Sequence, residues 1–88
     1  MYSVKYSKTA TKALSKLDRI TANMIVTWIE NNLLNCTNPR ISGRALTGNY
    51  KGYWRYRVGA YRIIAQITDT TITINIVNIG HRRNIYEQ

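Results

Sequence analysis

The sequence predicts a small α+β domain: an antiparallel sheet packed on one face by an N-terminal helix hairpin, in the order β-α-α-β-β-β. Three observations predict it. Apolar residues recur at helical spacing through the first part of the chain as far as Leu34. Asn38-Pro39 then punctuates the chain. From Tyr53 onward apolar and polar residues alternate with the period of a strand. Eighty-eight residues make a single domain, residues 1–88. A chain this short buries only roughly 60–65% of its unfolded surface, so its core is thin.

The elements follow in order. Tyr2, Val4 and Tyr6 alternate with Ser3 and Lys5, which predicts a short first strand. Ser7 is placed to cap a helix over residues 8–17. Its apolar positions Ala10, Ala13, Leu14 and Leu17 fall on one helical face, and Lys8, Lys12 and Lys16 fall on another. That lysine stripe reads either as a solvated face or as a contact for RNA or the ribosome. After a short connection at 18–21, a second helix over 21–34 buries Ile25, Trp28, Ile29 and Leu33. The short connection makes the two helices a hairpin.

In the second half, residues 53–58 and 61–68 alternate on either side of Gly59-Ala60, the pattern of a two-residue type II′ hairpin. That register sets Val58 against Tyr61, Arg57 against Arg62 and Arg55 against Ile64. A second turn at Asp69-Thr70 sets Ile67 against Ile72 and Ile63 against Ile76. One face then holds Trp54, Tyr56, Val58, Tyr61, Ile63, Ala65, Ile67, Ile72, Ile74 and Ile76. The other holds Arg55, Arg57, Arg62, Gln66, Thr73 and Asn75, with Ile64 and Val77 as apolar exceptions. The helix hairpin covers the apolar face, as one-sided antiparallel sheets require. The polar face stays open with three arginines in close array. Like charges on adjacent strands repel, so such a cluster reads either as a seat for an anion or as a tolerated surface cluster. Gly80 breaks the last strand and leaves His81, Arg82 and Arg83 at its end or in a turn. Tyr86 follows, either as a core-packing residue or as a base-stacking or catalytic one.

Charge narrows the function. Thirteen Lys and Arg stand against four Asp and Glu, a net charge of +9, which suits a polyanionic partner: RNA, DNA or an acidic protein. The missing residues are as informative. One histidine and one cysteine, Cys36, cannot assemble a zinc site. The carboxylates Asp18, Glu30, Asp69 and Glu87 are scattered, which argues against a paired acid/base or a magnesium cage. No glycine-rich phosphate loop is present. No metal and no cofactor is expected, and any chemistry must run on Arg, Lys, Tyr and His. Cys36 reads as a buried structural thiol. No charged segment followed by an apolar run opens the chain and no stretch is long enough to span a bilayer, so a cytoplasmic protein is expected.

Residues 46–62 read Leu46-Thr47-Gly48, a short loop, then Tyr53-Trp54-Arg55-Tyr56-Arg57-Val58-Gly59-Ala60-Tyr61-Arg62. The chain closes with Ile79-Gly80-His81-Arg82-Arg83-Asn84-Ile85-Tyr86. Together these resemble the signature of the RelE/ParE toxin superfamily, and the element order extends the resemblance over the whole chain. The resemblance implies the toxin of a type II toxin–antitoxin system with an RNA site on the open face of the sheet. It implies a ribosome-dependent, metal-free endoribonuclease, an mRNA interferase that inhibits translation. By motif position the catalytic set is Arg55, Arg62, Arg82 and Tyr86. His81 joins it on chemical grounds, as the one side chain whose ordinary pKa lies near 7. Lys51, Tyr53, Arg57, Arg83 and Arg44 are expected to bind RNA. RelE-like toxins carry two lysines on the first hairpin strand, where this sequence has Tyr53 and Arg55, with Lys51 just before the strand as a substitute. Ala60 takes a hairpin position that is often acidic in relatives. A cognate acidic, RelB-like antitoxin is the implied partner, with a disordered segment that folds on binding. It would wrap the groove beside the helices and cover the arginines or displace the Tyr86 tail. Two other readings share the same features: a ParE-like inhibitor of DNA gyrase without catalysis, and a plain nucleic-acid-binding domain.

Overall fold

The computed structural model describes residues 1–83. Its elements are β1 (Ser3–Tyr6), α1 (Lys8–Ser15), α2 (Arg19–Asn32), β2 (Arg44–Ala45), a 3-10 turn (Gly48–Tyr50), β3 (Trp54–Val58), β4 (Tyr61–Thr68) and β5 (Thr73–His81). The expected order holds, with the two-residue β2 added before the hairpin. The sheet has five strands in the order β1-β5-β4-β3-β2. All its pairings are antiparallel except at one edge, where β1 runs parallel to β5. No helix among the described residues is long and apolar enough to cross a membrane.

Caps set the helix boundaries. The Ser7 hydroxyl accepts the Ala10 N–H at 3.0 Å and donates to the Val77 carbonyl at 2.7 Å, so one side chain starts α1 and pins it to β5. The Asp18 carboxylate accepts the Thr21 N–H at 3.1 Å. This cap starts α2 at Arg19, earlier than the apolar pattern suggests, and the bonds from Thr21 hold the Asp18 carboxyl below its ordinary range. Ala10, Ile25, Ile29 and Leu33 from the helical half pack on Tyr56, Val58, Ile63, Ala65, Ile74, Ile76 and Ile79 of the sheet. Trp28 is half-buried at the margin, its ring 5.7 Å from that of Tyr56. Cys36 is also half-buried against the core, and burial pushes its thiol pKa up.

The first hairpin has the expected register, with Val58 against Tyr61, Arg57 against Arg62 and Arg55 against Ile64. Gly59 has φ +60° and Ala60 is not positive, the type II′ signature. The second hairpin differs. Ile67 pairs with Ile74 rather than Ile72, and Ile63 with Ile79 rather than Ile76. Two causes combine. The turn spans residues 69–72, closed by the Ile72 N–H on the Asp69 carbonyl at 3.2 Å, which moves the pairing by two. A bulge then adds one residue: Ala65 pairs with Ile76 but Ile64 with Asn78, leaving Val77 as the extra residue. Ile72 therefore lies in the turn, 45% exposed at φ +51°, and not on the apolar face. A β-branched residue there is strained. Gly80 does not break the strand: β5 runs through it to His81, and Gly80 lies opposite Arg62.

Residues 33–43 have no regular structure and are tied down by side chains. The Tyr56 hydroxyl, fully buried, donates to the Pro39 carbonyl at 2.6 Å, and burial pushes its pKa up to about 12. Arg40 forks onto Asp69 at 2.8 and 3.2 Å while lying 5.7 Å from the Trp54 ring centroid, and the Tyr2 hydroxyl donates to the same carboxylate at 2.7 Å. The guanidinium, with Tyr2, holds the Asp69 carboxyl below its ordinary range. Tyr56→Phe is expected to strand the buried Pro39 carbonyl and to destabilise the fold by about 1–3 kcal/mol. Urea unfolding of the two proteins checks this; equal midpoints would show that the hydroxyl bond contributes nothing.

Candidate nucleic-acid interface

Strand alternation carries the apolar side chains of β3 and β4 to the helices and the arginines to the other face. Arg57 and Arg62 are direct cross-strand partners, a placement that brings Cβ atoms to about 4.5–5.5 Å. Arg44 of β2 is the cross-strand partner of Arg55. Two cavities mark this surface. One, of about 240 Å³, is lined by Ile41, Ser42, Gly43, Arg44, Arg55 and Arg57. The other, of about 110 Å³, is lined by Arg57, Gly59, Arg62 and Arg82. Arg57 belongs to both, so the two form one continuous basic surface carrying five arginines.

The electrostatics of that surface favour an anion. Arg40 pairs with Asp69 away from this surface, at the far turn of the sheet. Among the described residues no carboxylate lines either cavity. Within the first cavity Arg55 is half-buried, and its Nε is a buried donor with no hydrogen-bond partner among the described residues. A buried charged donor left unmatched costs more than the roughly 1–3 kcal/mol of a neutral one. The Arg55 guanidinium lines the cavity, and the fork of a guanidinium matches two phosphate oxygens at once. Among the described residues no group of three His, Cys, Asp or Glu could hold a metal ion.

The residues singled out from the sequence are distributed as follows. Arg44, Arg55, Arg57, Arg62 and Arg82 come together on the open face. Arg82 is fixed there by its backbone N–H on the Ala60 carbonyl at 3.0 Å. Lys51 is exposed at the end of the 3-10 turn, and Tyr53 is half-buried just ahead of β3; neither lines a cavity. Arg83 is exposed and its N–H meets the His81 ring at 3.3 Å. His81 itself is not among the residues lining either arginine cavity. It is the cross-strand partner of Tyr61, whose ring it meets edge-on at 5.5 Å, and Tyr61 packs against the core. The sequence groups His81 with Arg82 because they are neighbours; strand parity sends them to opposite faces. Tyr86 lies outside the described residues.

Gly43 is a site residue that the sequence does not reveal. A Cβ there would lie 2.7 Å from the Tyr56 ring and 3.1 Å from the Arg55 carbonyl. Only glycine lets β2 lie this close to β3 and form the wall of the Arg55 cavity. A lone Gly between Ser42 and Arg44 carries no signal of this, because the close approach is non-local.

The family model for the ParE toxin of type II toxin–antitoxin systems, parDE, matches residues 4–86. Toxin RelG of Mycobacterium tuberculosis is 29% identical over 87 residues, which is 99% of this chain and 98% of that protein. The toxin–antitoxin complex RelBE2 of the same organism contains a chain of similar structure, with a TM-score of 0.84 and 28% identity over 94% of this chain and 93% of that one. The archaeal RelE–RelB complex of Pyrococcus horikoshii is similar at a TM-score of 0.70 and 25% identity, over 94% of this chain and 97% of that one.

An anion seat makes a prediction of its own. Inorganic phosphate should raise the melting temperature above that in chloride at equal ionic strength, because a ligand bound only by the native state stabilises it by RT ln(1 + [L]/Kd). Arg55→Ala should remove most of the increment. Identical melting curves in the two salts would show that the Arg55 cavity is no anion site.

Proposed function

This chain belongs to the ParE toxin family of type II toxin–antitoxin systems, and from that premise we propose that it is a ribosome-dependent, metal-free endoribonuclease that cuts messenger RNA. The observation that carries the reading is the unpartnered Nε of Arg55 in a cavity shared with Arg44 and Arg57, on the face where Arg57, Arg62 and Arg82 also meet. A protein acting only by docking to another protein has little need for a preorganised arginine cluster around an unmatched buried donor.

The chemistry uses the substrate's own 2′-OH. That oxygen gives up its proton and attacks the adjacent phosphorus, the P–O5′ bond breaks, and the 5′ oxygen takes a proton. The products are a 2′,3′-cyclic phosphate and a 5′-OH. Negative charge gathers on the phosphoryl oxygens in the transition state. Arg55 and Arg62 bind those oxygens, with Arg57 between them and Arg82 closing the cleft. Removal of one such donor typically lowers turnover by about 10²–10³-fold. Arg44, Lys51 and Tyr53 hold the flanking RNA, Arg83 adds positive charge near the cleft, and Tyr86 stacks on a base or moves a proton. Arginine is a poor proton carrier, with a pKa above about 12. His81, on the other face, takes no direct part. The ribosome's role is to hold messenger in the reactive geometry this face does not impose alone.

The partner is a cognate antitoxin. The similar solved structures from M. tuberculosis and P. horikoshii are of toxin–antitoxin complexes, and a surface of net charge +9 favours an acidic, RelB-like segment that orders on binding. One observation favours a second reading. The matching family model is that of ParE, and a ParE-like toxin would inhibit DNA gyrase without cutting RNA.

The two readings separate in one comparison. Purified protein should cleave messenger on programmed ribosomes and scarcely cleave naked RNA, and Arg62→Ala should lower cleavage by about 10²–10³-fold while keeping the far-UV circular dichroism of the parent. Intact messenger alongside inhibited gyrase supercoiling overturns the proposal in favour of the second reading. Equal cleavage of naked RNA removes the ribosome from the mechanism.

A further inference from the structure

We propose that the groove between α1 and β5 is a second RNA-backbone subsite, in which Lys12 and Lys16 hold phosphates of the same strand that crosses the arginine face. The inference rests on the RNA reading above and extends it to residues with no role there. The groove, of about 270 Å³, is lined by Thr9, Lys12, Ala13, Lys16 and Asn78.

Register joins it to the arginines. Arg44 pairs with Arg55, Arg55 with Ile64, and Ile64 with Asn78. These four residues form one row across β2, β3, β4 and β5. Neighbouring strands lie about 4.8 Å apart, so the row spans roughly 14–15 Å. At its β2–β3 end are two arginines; at its β5 end is the groove. The β-bulge makes the junction, because it places Asn78, and not Val77, opposite Ile64.

Helix α1 is held at that end of the row. β1 covers the flank of β5 only as far as Ile76. There the Ser7 N–H donates to the Ile76 carbonyl at 2.9 Å, its hydroxyl donates to the Val77 carbonyl at 2.7 Å, and α1 continues along the strand. The helix buries Ala10 and packs Ala13 and Leu14 against the core, with Leu17 just beyond its C-cap packing there too. Lys12, in the last turn of α1, and Lys16, its C-cap, are both exposed and both line the groove. The packing of α1 requires no charge at either position. Among the described residues neither lysine has a carboxylate in salt-bridge range. Two cations lining one groove, continuous with a row that begins in arginines, match the evenly charged backbone of one nucleic-acid strand.

The experiment is a salt series on binding to a short single-stranded RNA carrying 2′-O-methyl groups, which the protein cannot cleave, read by fluorescence anisotropy. Each phosphate neutralised on a single strand contributes about 0.7 to the slope of log affinity against log salt. Lys12→Ala with Lys16→Ala should reduce the slope by about 1.4, a loss of roughly 25-fold at 0.1 M relative to 1 M salt. Lys12→Arg with Lys16→Arg should keep the parental slope, which separates charge from any effect on the helix. An unchanged slope in the double alanine variant, with binding still weakened by Arg62→Ala, overturns this inference and leaves the arginine reading standing. Loss of binding to a polyglutamate peptide with RNA binding intact assigns the groove to an acidic protein and also overturns it. RNA affinity insensitive to both Arg62→Ala and the lysine changes overturns the inference together with the reading beneath it.

Discussion

One extra residue in β5 decides what the open face of this protein contains. If the pairing of Ala65 with Ile76 continued without interruption, Ile64 would meet Val77, Ile63 would meet Asn78, and Arg62 would meet Ile79. Asn78 would then enter the core, Ile79 would stand among the arginines, and His81 would fall on the arginine face in place of Arg82. The bulge at Val77 reverses all of this. Ile79 is buried beside Ile63, Gly80 leaves the space opposite Arg62 without a side chain, and Arg82 joins Arg57 and Arg62 around one cavity. A bulge sacrifices ladder regularity, and here the compensation is on both faces: a core isoleucine on one and an arginine in the site on the other.

The site is also inseparable from the core because β3 serves both. Tyr56 lies between Arg55 and Arg57 and points the other way, fully buried against Trp28 with its hydroxyl on Pro39. Its ring occupies the space that a side chain at position 43 would need. Gly43 therefore lets the irregular segment rise into β2 and set Arg44 beside Arg55. The segment is held at Pro39 by Tyr56 and at Arg40 by Asp69, with Tyr2 on the same carboxylate. These ties join the wall of the Arg55 cavity to the core, so core packing and site geometry are coupled.

Local chemistry in the sequence suffices for the helices, the first hairpin and the identity of the arginine face. Ser7 capping α1, the Gly59 turn and the Arg57–Arg62 pair all depend on residues close in the chain. The phase of β5 is written in the spacing of its isoleucines. Apolar positions run Ile72, Ile74, Ile76 and then Ile79, and that change of parity is the mark of a bulge. A single uninterrupted phase instead puts Ile72 in the sheet, where the structure has it in a strained turn. The parallel pairing of β1 with β5 and the β2–β3 contact are not legible, since each joins segments with no tight turn between them to fix the register. His81 groups with Arg82 on proximity alone, and proximity along a strand is the wrong guide to which face a side chain takes.

On the proposed reading, the composition of the face explains why a partner must complete the reaction. General acid–base catalysis typically contributes about 10²–10⁴-fold, or about 2.7–5.4 kcal/mol of barrier. Arginines do not supply it, and the fold takes the single imidazole to the other side of the sheet. Charge stabilisation of the phosphoryl oxygens contributes about 3–4 kcal/mol per preorganised donor, which the arginines can provide. The remaining resource is orientation, for which effective molarities correspond to about 7–11 kcal/mol. That exceeds the missing acid–base contribution, so an assembly that presents the 2′-OH in line with the scissile phosphorus can offset it. Selectivity then comes from the same source as rate. A basic face that binds any RNA strand but accelerates cleavage only where the strand is already aligned would spare free RNA in the cell and cut messenger where translation holds it in place.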